Sequence, residues 1–155
     1  MKKMSFLMPL SIATAVLCGI WSIAAPWTGM ISWAGFAGCT TYFASGKHGT
    51  EGLKKTIFPN AAGVLCGMTI LALSTAAPGP GKLGIWCAIL TFAMCIISQF
   101  QLFDFCPGTF MGCFTTFAAG GNWKALVPSL VAGALLGMAC DYGGAWLHRI
   151  CTRDQ

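Results

Sequence analysis

Charge is what this chain has least of. Its 155 residues include four Asp+Glu and nine Lys+Arg, 8% charged in all, where a soluble domain carries roughly a quarter. So few ionic groups cannot cover a water-facing surface, which excludes a solvated globule. Histidine is scarce as well, with His48 and His148 the two present. No H-E-x-x-H, G-x-S-x-G, phosphate loop or dinucleotide fingerprint occurs, so no enzymatic function and no cofactor are expected. The nine cysteines form no C-x-x-C pair, and Cys18, Cys39, Cys66, Cys87, Cys95, Cys113 and Cys140 all sit inside apolar runs. They read as small buried hydrophobes rather than a secreted disulfide framework. Cys87, Met94 and Cys95 share a helical face whose ligand types suit copper(I), but packing is the plainer reading and no metal site is expected.

What the chain does have is apolar length. Hydrophobic residues make up 56% and the mean hydropathy is +0.73. Cutting at proline, glycine and charge leaves six apolar segments, at about 5–25, 30–46, 57–77, 84–103, 107–120 and 125–147. Six spans occupy nearly the whole chain, leaving turns and tails. The expected fold is therefore all-α: one polytopic membrane domain over residues 1–155, with six transmembrane helices. The net charge of +5 comes from basic residues at the ends of apolar runs. They read as topology determinants beside anionic lipid, and nucleic acid is not an expected partner. With both termini in the cytoplasm, Lys2, Lys3, Lys47, Lys54, Lys55, Arg149 and Arg153 lie inside, and Lys82 and Lys124 lie outside. That is the positive-inside bias of six full crossings.

The chain also repeats itself. Residues 36–46 and 110–120 align with Phe36/Phe110, Gly38/Gly112, Cys39/Cys113, Thr41/Thr115, Phe43/Phe117, Ala44/Ala118 and Gly46/Gly120 coincident. The likeness continues through Lys55/Lys124, Pro59/Pro128, Gly63/Gly133, Gly67/Gly137 and Met68/Met138, with one residue inserted after the proline. Repeat one covers about 5–77 and repeat two about 84–147. Three crossings in each half place the second upside down relative to the first, an inverted-repeat plan that recurs in transporters and channels. Pro59 and Pro128 are expected in the first turn of their helices.

Matched short segments are the best sequence pointer to a pathway in such proteins. The second and fifth segments are the short ones. On a helical wheel, Ala34, Gly38, Thr41 and Ser45 form a small, weakly polar stripe, repeated by Gly108, Gly112, Thr115 and Ala119. Phe36, Cys39 and Phe43 lie opposite, as do Phe110, Cys113 and Phe117. The stripe either lets helices approach closely or lines a narrow route, for which Gly38, Thr41, Ser45, Gly112 and Thr115 are the candidates. Asp104 and Asp141, the acidic residues near membrane segments, are candidates for ion coupling; Asp141 could instead pair with Arg149 or His148. Asn60, Gln99 and Gln101 read as helix-bridging groups.

The stretch from Ser32 to Ala44, Pro107-Gly108-Thr109-Phe110, and Gly120-Gly121-Asn122-Trp123-Lys124 resemble a bacterial inner-membrane family designated domain of unknown function 1097. The resemblance covers nearly the whole chain. It implies a polytopic protein of the bacterial inner (cytoplasmic) membrane and supplies no substrate. Together these readings lead to a channel or facilitator for a small neutral or weakly polar solute, assembled as a homo-oligomer in the lipid bilayer. An ion-coupled secondary transporter and a non-transporting membrane partner protein are the alternatives. Accessibility labelling is expected to find Gly46 and Gly120 on opposite sides of the membrane; labelling from the same side would remove the inverted symmetry.

Overall fold

The computed structural model describes residues 6–76, 79 and 81–153, and among these the secondary structure is helical throughout. Six helices follow in order: α1 (Leu7–Trp27), α2 (Ser32–Ala44), α3 (Gly49–Ala76), α4 (Lys82–Ile97), α5 (Cys106–Ala118) and α6 (Trp123–Arg153). Lys2 and Lys3, part of the charge bias, lie outside the described residues.

Helices α1, α3 and α6 are each long and apolar enough to cross a bilayer, and α4 is a shorter apolar helix. Helices α2 and α5 have 13 residues each. Thirteen residues rise about 20 Å, against a hydrocarbon core of about 30 Å. The surface says what surrounds the bundle. Ile12, Val16, Ile20, Ile23 and Trp27 are exposed in one stripe along α1, and Ile85, Ile89, Phe92 and Ile96 in another along α4. Continuous apolar stripes of this extent are untenable in water and are what a helix turns towards lipid.

The buried side is made of small residues. Helix α2 packs chiefly on α6 and α5 chiefly on α3, while α1 rests on α6, α4 on α3, and the two long helices meet each other. Each short helix thus lies against the long helix of the other half. Glycine sets how close they come. A Cβ at Gly63 would collide with the Thr109 carbonyl, and one at Gly133 with the Gly35 carbonyl. Reciprocally, a Cβ at Gly112 would strike the Asn60 carbonyl and one at Gly38 the Leu130 carbonyl. Equivalent positions of the two aligned halves therefore make equivalent contacts. In lipid, where apolar surface gains nothing by leaving the solvent, such close backbone approach is a main source of helix association. Both short helices end alike: Gly46 and Gly120 take φ values of +65° and +58°, and their N–H groups donate to the Phe43 and Phe117 carbonyls. Glycine at this left-handed position closes a helix without Cβ strain.

Helix boundaries depart from the apolar segments in three places. Helix α3 begins at Gly49, not near residue 57, so Glu51, Lys54 and Lys55 are helical. Helix α6 runs on to Arg153. With α3 starting at Gly49 and α6 at Trp123, Pro59 and Pro128 lie inside their helices rather than in the first turn. Helix α4 stops at Ile97, and residues 98–103 form turns. Cutting at charge locates the hydrocarbon boundary, whereas a helix propagates on its hydrogen-bond ladder and can carry charge beyond the lipid.

Gly63→Ala and Gly133→Ala should each destabilise the protein by about 2–3 kcal/mol or prevent folding, because backbone rather than a movable side chain blocks the added methyl. Gly19→Ala and Gly84→Ala, which meet nothing within 4 Å, should be neutral or stabilising by about 0.5–1 kcal/mol. Thermal unfolding in detergent, followed by tryptophan fluorescence, checks the contrast.

Candidate functional site

A cavity of about 70 Å³ lies where α3 and α6 cross, lined by Ile57, Asn60, Ala61, Val64, Val127, Leu130 and Val131. A shallower groove lined by Ala61, Val64, Leu65, Met68, Trp123 and Val127 shares three of these residues and extends towards the start of α6. The cavity wall is apolar except at Asn60. That residue is 2% exposed, and neither its Oδ1 nor its Nδ2 has a hydrogen-bond partner. On the neighbouring α3–α5 crossing the Thr109 hydroxyl is also buried and unpartnered. Each such group left dry costs about 1–3 kcal/mol, and proteins retain few of them without a water, ligand or functional reason. An amide offers a donor and an acceptor together. The Asn60 amide suits a neutral molecule able to accept and donate, and the wall supplies no charge for an ion.

The small stripe is used differently. Gly38 and Gly112 sit against partner-helix backbone, as described above. The Thr41 and Thr115 hydroxyls are buried and donate within their own helices, to the Ala37 carbonyl at 2.8 Å and the Gly112 carbonyl at 3.0 Å. Ser45 caps α2, its hydroxyl donating to the Tyr42 carbonyl at 2.7 Å. These are the contacts of close helix approach, and none of the five residues lines the α3–α6 cavity. Cys39 and Cys113, read as small buried hydrophobes, are buried. Asn60, expected to bridge helices, makes no hydrogen bond through its side chain.

The two carboxylates are tied to helix ends. Asp141 lies on α6, 8% exposed, and its Oδ2 accepts from the Tyr42 hydroxyl at 3.0 Å and lies 2.9 Å from His48 Nδ1. The Gly49 N–H donates to the same Tyr42 hydroxyl at 2.7 Å. One phenol thus joins the end of α2, the start of α3 and the middle of α6. Neither Arg149 nor His148 takes the partnership the sequence suggested; His148 instead stacks edge-on against Phe6. Asp104 follows α4 and is paired with Lys55 of α3, 2.6 Å away, and the Lys55 ammonium also donates to the Gln101 carbonyl. The aspartate is half exposed, so the pair adds little stability but holds the α4–α5 connection against α3. Of Cys87, Met94 and Cys95, the first two belong to one packed cluster, with Met94 buried, while Cys95 is exposed.

The family model for proteins of unknown function named DUF1097 matches residues 11–145. The chain belongs to this family. It is 41% identical to the inner membrane protein YcdZ of Escherichia coli (strain K12) over 145 residues, covering 93% of this chain and 89% of that one. It is 38% identical to the inner membrane protein YcdZ of Salmonella typhimurium, over 93% and 91% of the two chains. A more distant likeness, 25% over 154 residues, is to the uncharacterized protein YahC of Escherichia coli, covering 92% and 93%. No solved structure matches. Members of this family named for the inner membrane, together with the lipid-facing stripes, make this DUF1097 chain a membrane protein and support a place in a bacterial inner membrane.

The DUF1097 match includes Asn60, Tyr42 and Asp141. Sequence reasoning undervalued the first two. The usable signal was a difference between the halves: the contacts pair Asn60 with Leu130, and Tyr42 aligns with Thr116. Tyr42→Phe should lower stability by about 1–3 kcal/mol, since it takes the acceptor from the Gly49 N–H and leaves Asp141 Oδ2 with His48 alone. Hydrogen exchange should accelerate at Gly49 in this variant; unchanged exchange would show that the phenol does not hold the α2–α3 connection.

Proposed function

We propose that this protein is a facilitator for a small neutral solute in the bacterial inner membrane, built from two inverted three-helix repeats with both termini cytoplasmic. The observation that carries the reading is Asn60: an unpartnered amide, 2% exposed, on the wall of an otherwise apolar cavity between the two long helices. The equivalent contacts of Gly63 with Thr109 and of Gly133 with Gly35 support a two-fold relation between the halves, with this cavity beside its axis. Sites in inverted-repeat proteins commonly lie at such a meeting point.

The groove from Trp123 past Met68 and Ala61 leads the solute in. The Asn60 amide replaces part of its hydration. Gly38, Thr41, Gly112 and Thr115 hold the walls at their separation, with Ser45 at the end of α2. Because Ala61 is exposed at the groove's open side, a neighbouring copy in a homo-oligomer closes it. Passive movement is favoured over ion coupling, because Asp141 and Asp104 are engaged at helix ends and no carboxylate lines the cavity.

Proteoliposome swelling with a panel of uncharged solutes, such as glycerol, urea and short amides, tests the proposal. Asn60→Leu keeps the branched side-chain shape and removes the amide, and is expected to slow the permeant solute about tenfold, the loss of one good hydrogen bond. Thr41→Val with Thr115→Val should leave flux within about twofold. Equal flux for Asn60→Leu and the parent, or no solute moving faster than through protein-free vesicles, would refute the reading. Flux that requires a proton or sodium gradient and vanishes in Asp141→Asn would replace it with the coupled one.

A further inference from the structure

On the opposite side of α6 from this cavity, three cysteines converge. Cys18 of α1, Cys39 of α2 and Cys140 of α6 place their Sγ atoms all within 4.8 Å of one another. Cys39 is 5% exposed and Cys140 0%, and Cys18 is partly buried. All three are free thiols. Cys18 is the twelfth residue of the 21 in α1, so the cluster lies about halfway along a spanning helix. The junction of α3, α4 and α5 offers an internal comparison. Cys66, Cys87 and Cys113 neighbour one another there, yet among the described residues they do not meet the same spacing. Convergence of three sulfurs from three helices is therefore not a general result of cysteine serving as a small packing residue.

From this geometry we propose a binding site for one thiophilic monovalent cation, copper(I) in kind, at Cys18, Cys39 and Cys140. Metal–sulfur bonds of about 2.3 Å place three sulfurs about 4 Å apart around a trigonal ion, so small side-chain rotations close the observed spacing. The donor set is sulfur alone, the set that selects copper(I) over magnesium, calcium or manganese. Among the described residues no fourth His, Cys, Asp or Glu joins the cluster, where structural zinc usually has four protein ligands. Charge decides between monovalent and divalent ions. Binding runs as M⁺ + 3 RSH → M(SR)(HSR)₂ + H⁺ with no change in oxidation state: one sulfur binds as thiolate and two as neutral thiols, and the one displaced proton leaves the site neutral inside the bilayer. A divalent ion needs two protons displaced for the same neutrality. Thr14, one turn before Cys18, adjoins Cys140. It also lines a shallow depression with Leu10, Ser11, Ala15 and Phe43, a path by which an ion reaches the thiols from the end where α1 begins.

The test uses the full chain, purified reduced in detergent, with silver(I) and with copper(I) kept reduced by ascorbate as probes. One variant replaces Cys66, Cys87, Cys95, Cys106, Cys113 and Cys151 by Ala and keeps the three converging cysteines. A second carries Cys18→Ala, Cys39→Ala and Cys140→Ala and keeps the other six. The first is expected to retain one equivalent of metal, with three sulfurs at the ion by X-ray absorption. The second should lose one equivalent relative to the parent, and affinity at that site should fall at least 100-fold. If the second variant does not fold, Cys39→Ala alone must lose the three-sulfur signature. Absence of metal from the first variant, fewer than three sulfurs at the ion, or parental stoichiometry in the second would each overturn the proposal. A disulfide joining two of the three in protein purified without reductant would overturn it in favour of a redox pair.

Discussion

Backbone touching backbone at glycine is the constraint on which this structure depends. Four glycines, Gly38, Gly63, Gly112 and Gly133, each face a carbonyl on another helix at a distance that leaves no room for a methyl group. In lipid the apolar side chains facing outward contribute nothing to helix association. Stability has to come from close contact, and the short helices α2 and α5 supply it by lying along α6 and α3. Once those two crossings are fixed, the separation of α3 and α6 follows, and with it the cavity beside Asn60. The approach of α1 to α6, where Gly144 leaves no room for a Cβ beside the Leu10 backbone, brings Cys18 to Cys140 in the same way.

Polarity is sorted by depth and by half. Charge and ionisable hydrogen bonds collect at helix ends: the Asp141–Tyr42–His48 cluster at one connection and Lys55–Asp104 at another. Hydroxyls within the bundle, those of Thr41, Thr56, Thr115 and Thr116, return to carbonyls of their own helices. That arrangement lets polar side chains sit in the packed interior at little cost. Against this background an interior amide without a partner stands apart. So do three thiols brought together on the other side of the bundle. The two features occupy different helix junctions and invite different chemistries, one uncharged and hydrogen-bonding, the other soft and cationic.

The halves are alike in scaffold and unlike in the residues that carry chemistry. Phe36/Phe110, Gly38/Gly112 and Gly46/Gly120 match because each serves the same crossing or the same helix end. Asn60 is matched in its contacts by Leu130, and Tyr42 is aligned with Thr116. A search for coincident residues finds the scaffold and passes over these positions.

The sequence by itself determined the class of solvent, the helical content, the duplication and the glycines of the crossings, because composition and spacing record what each helix must face. It also placed Lys55, Asp104 and Asp141 towards the ends of apolar segments, since charge is costly in the middle of the lipid. Only the tertiary structure decided which helix lies on which. It also decided that α3 and α6 continue past the lipid-facing run, that Asp141 meets Tyr42 and His48 rather than Arg149, and that Asn60 is left without a partner. It brought Cys18, Cys39 and Cys140 together from positions up to 122 residues apart. The physical reason is the same in each case: periodicity fixes the face a residue occupies, but the identity of the opposing face is a property of the assembled chain.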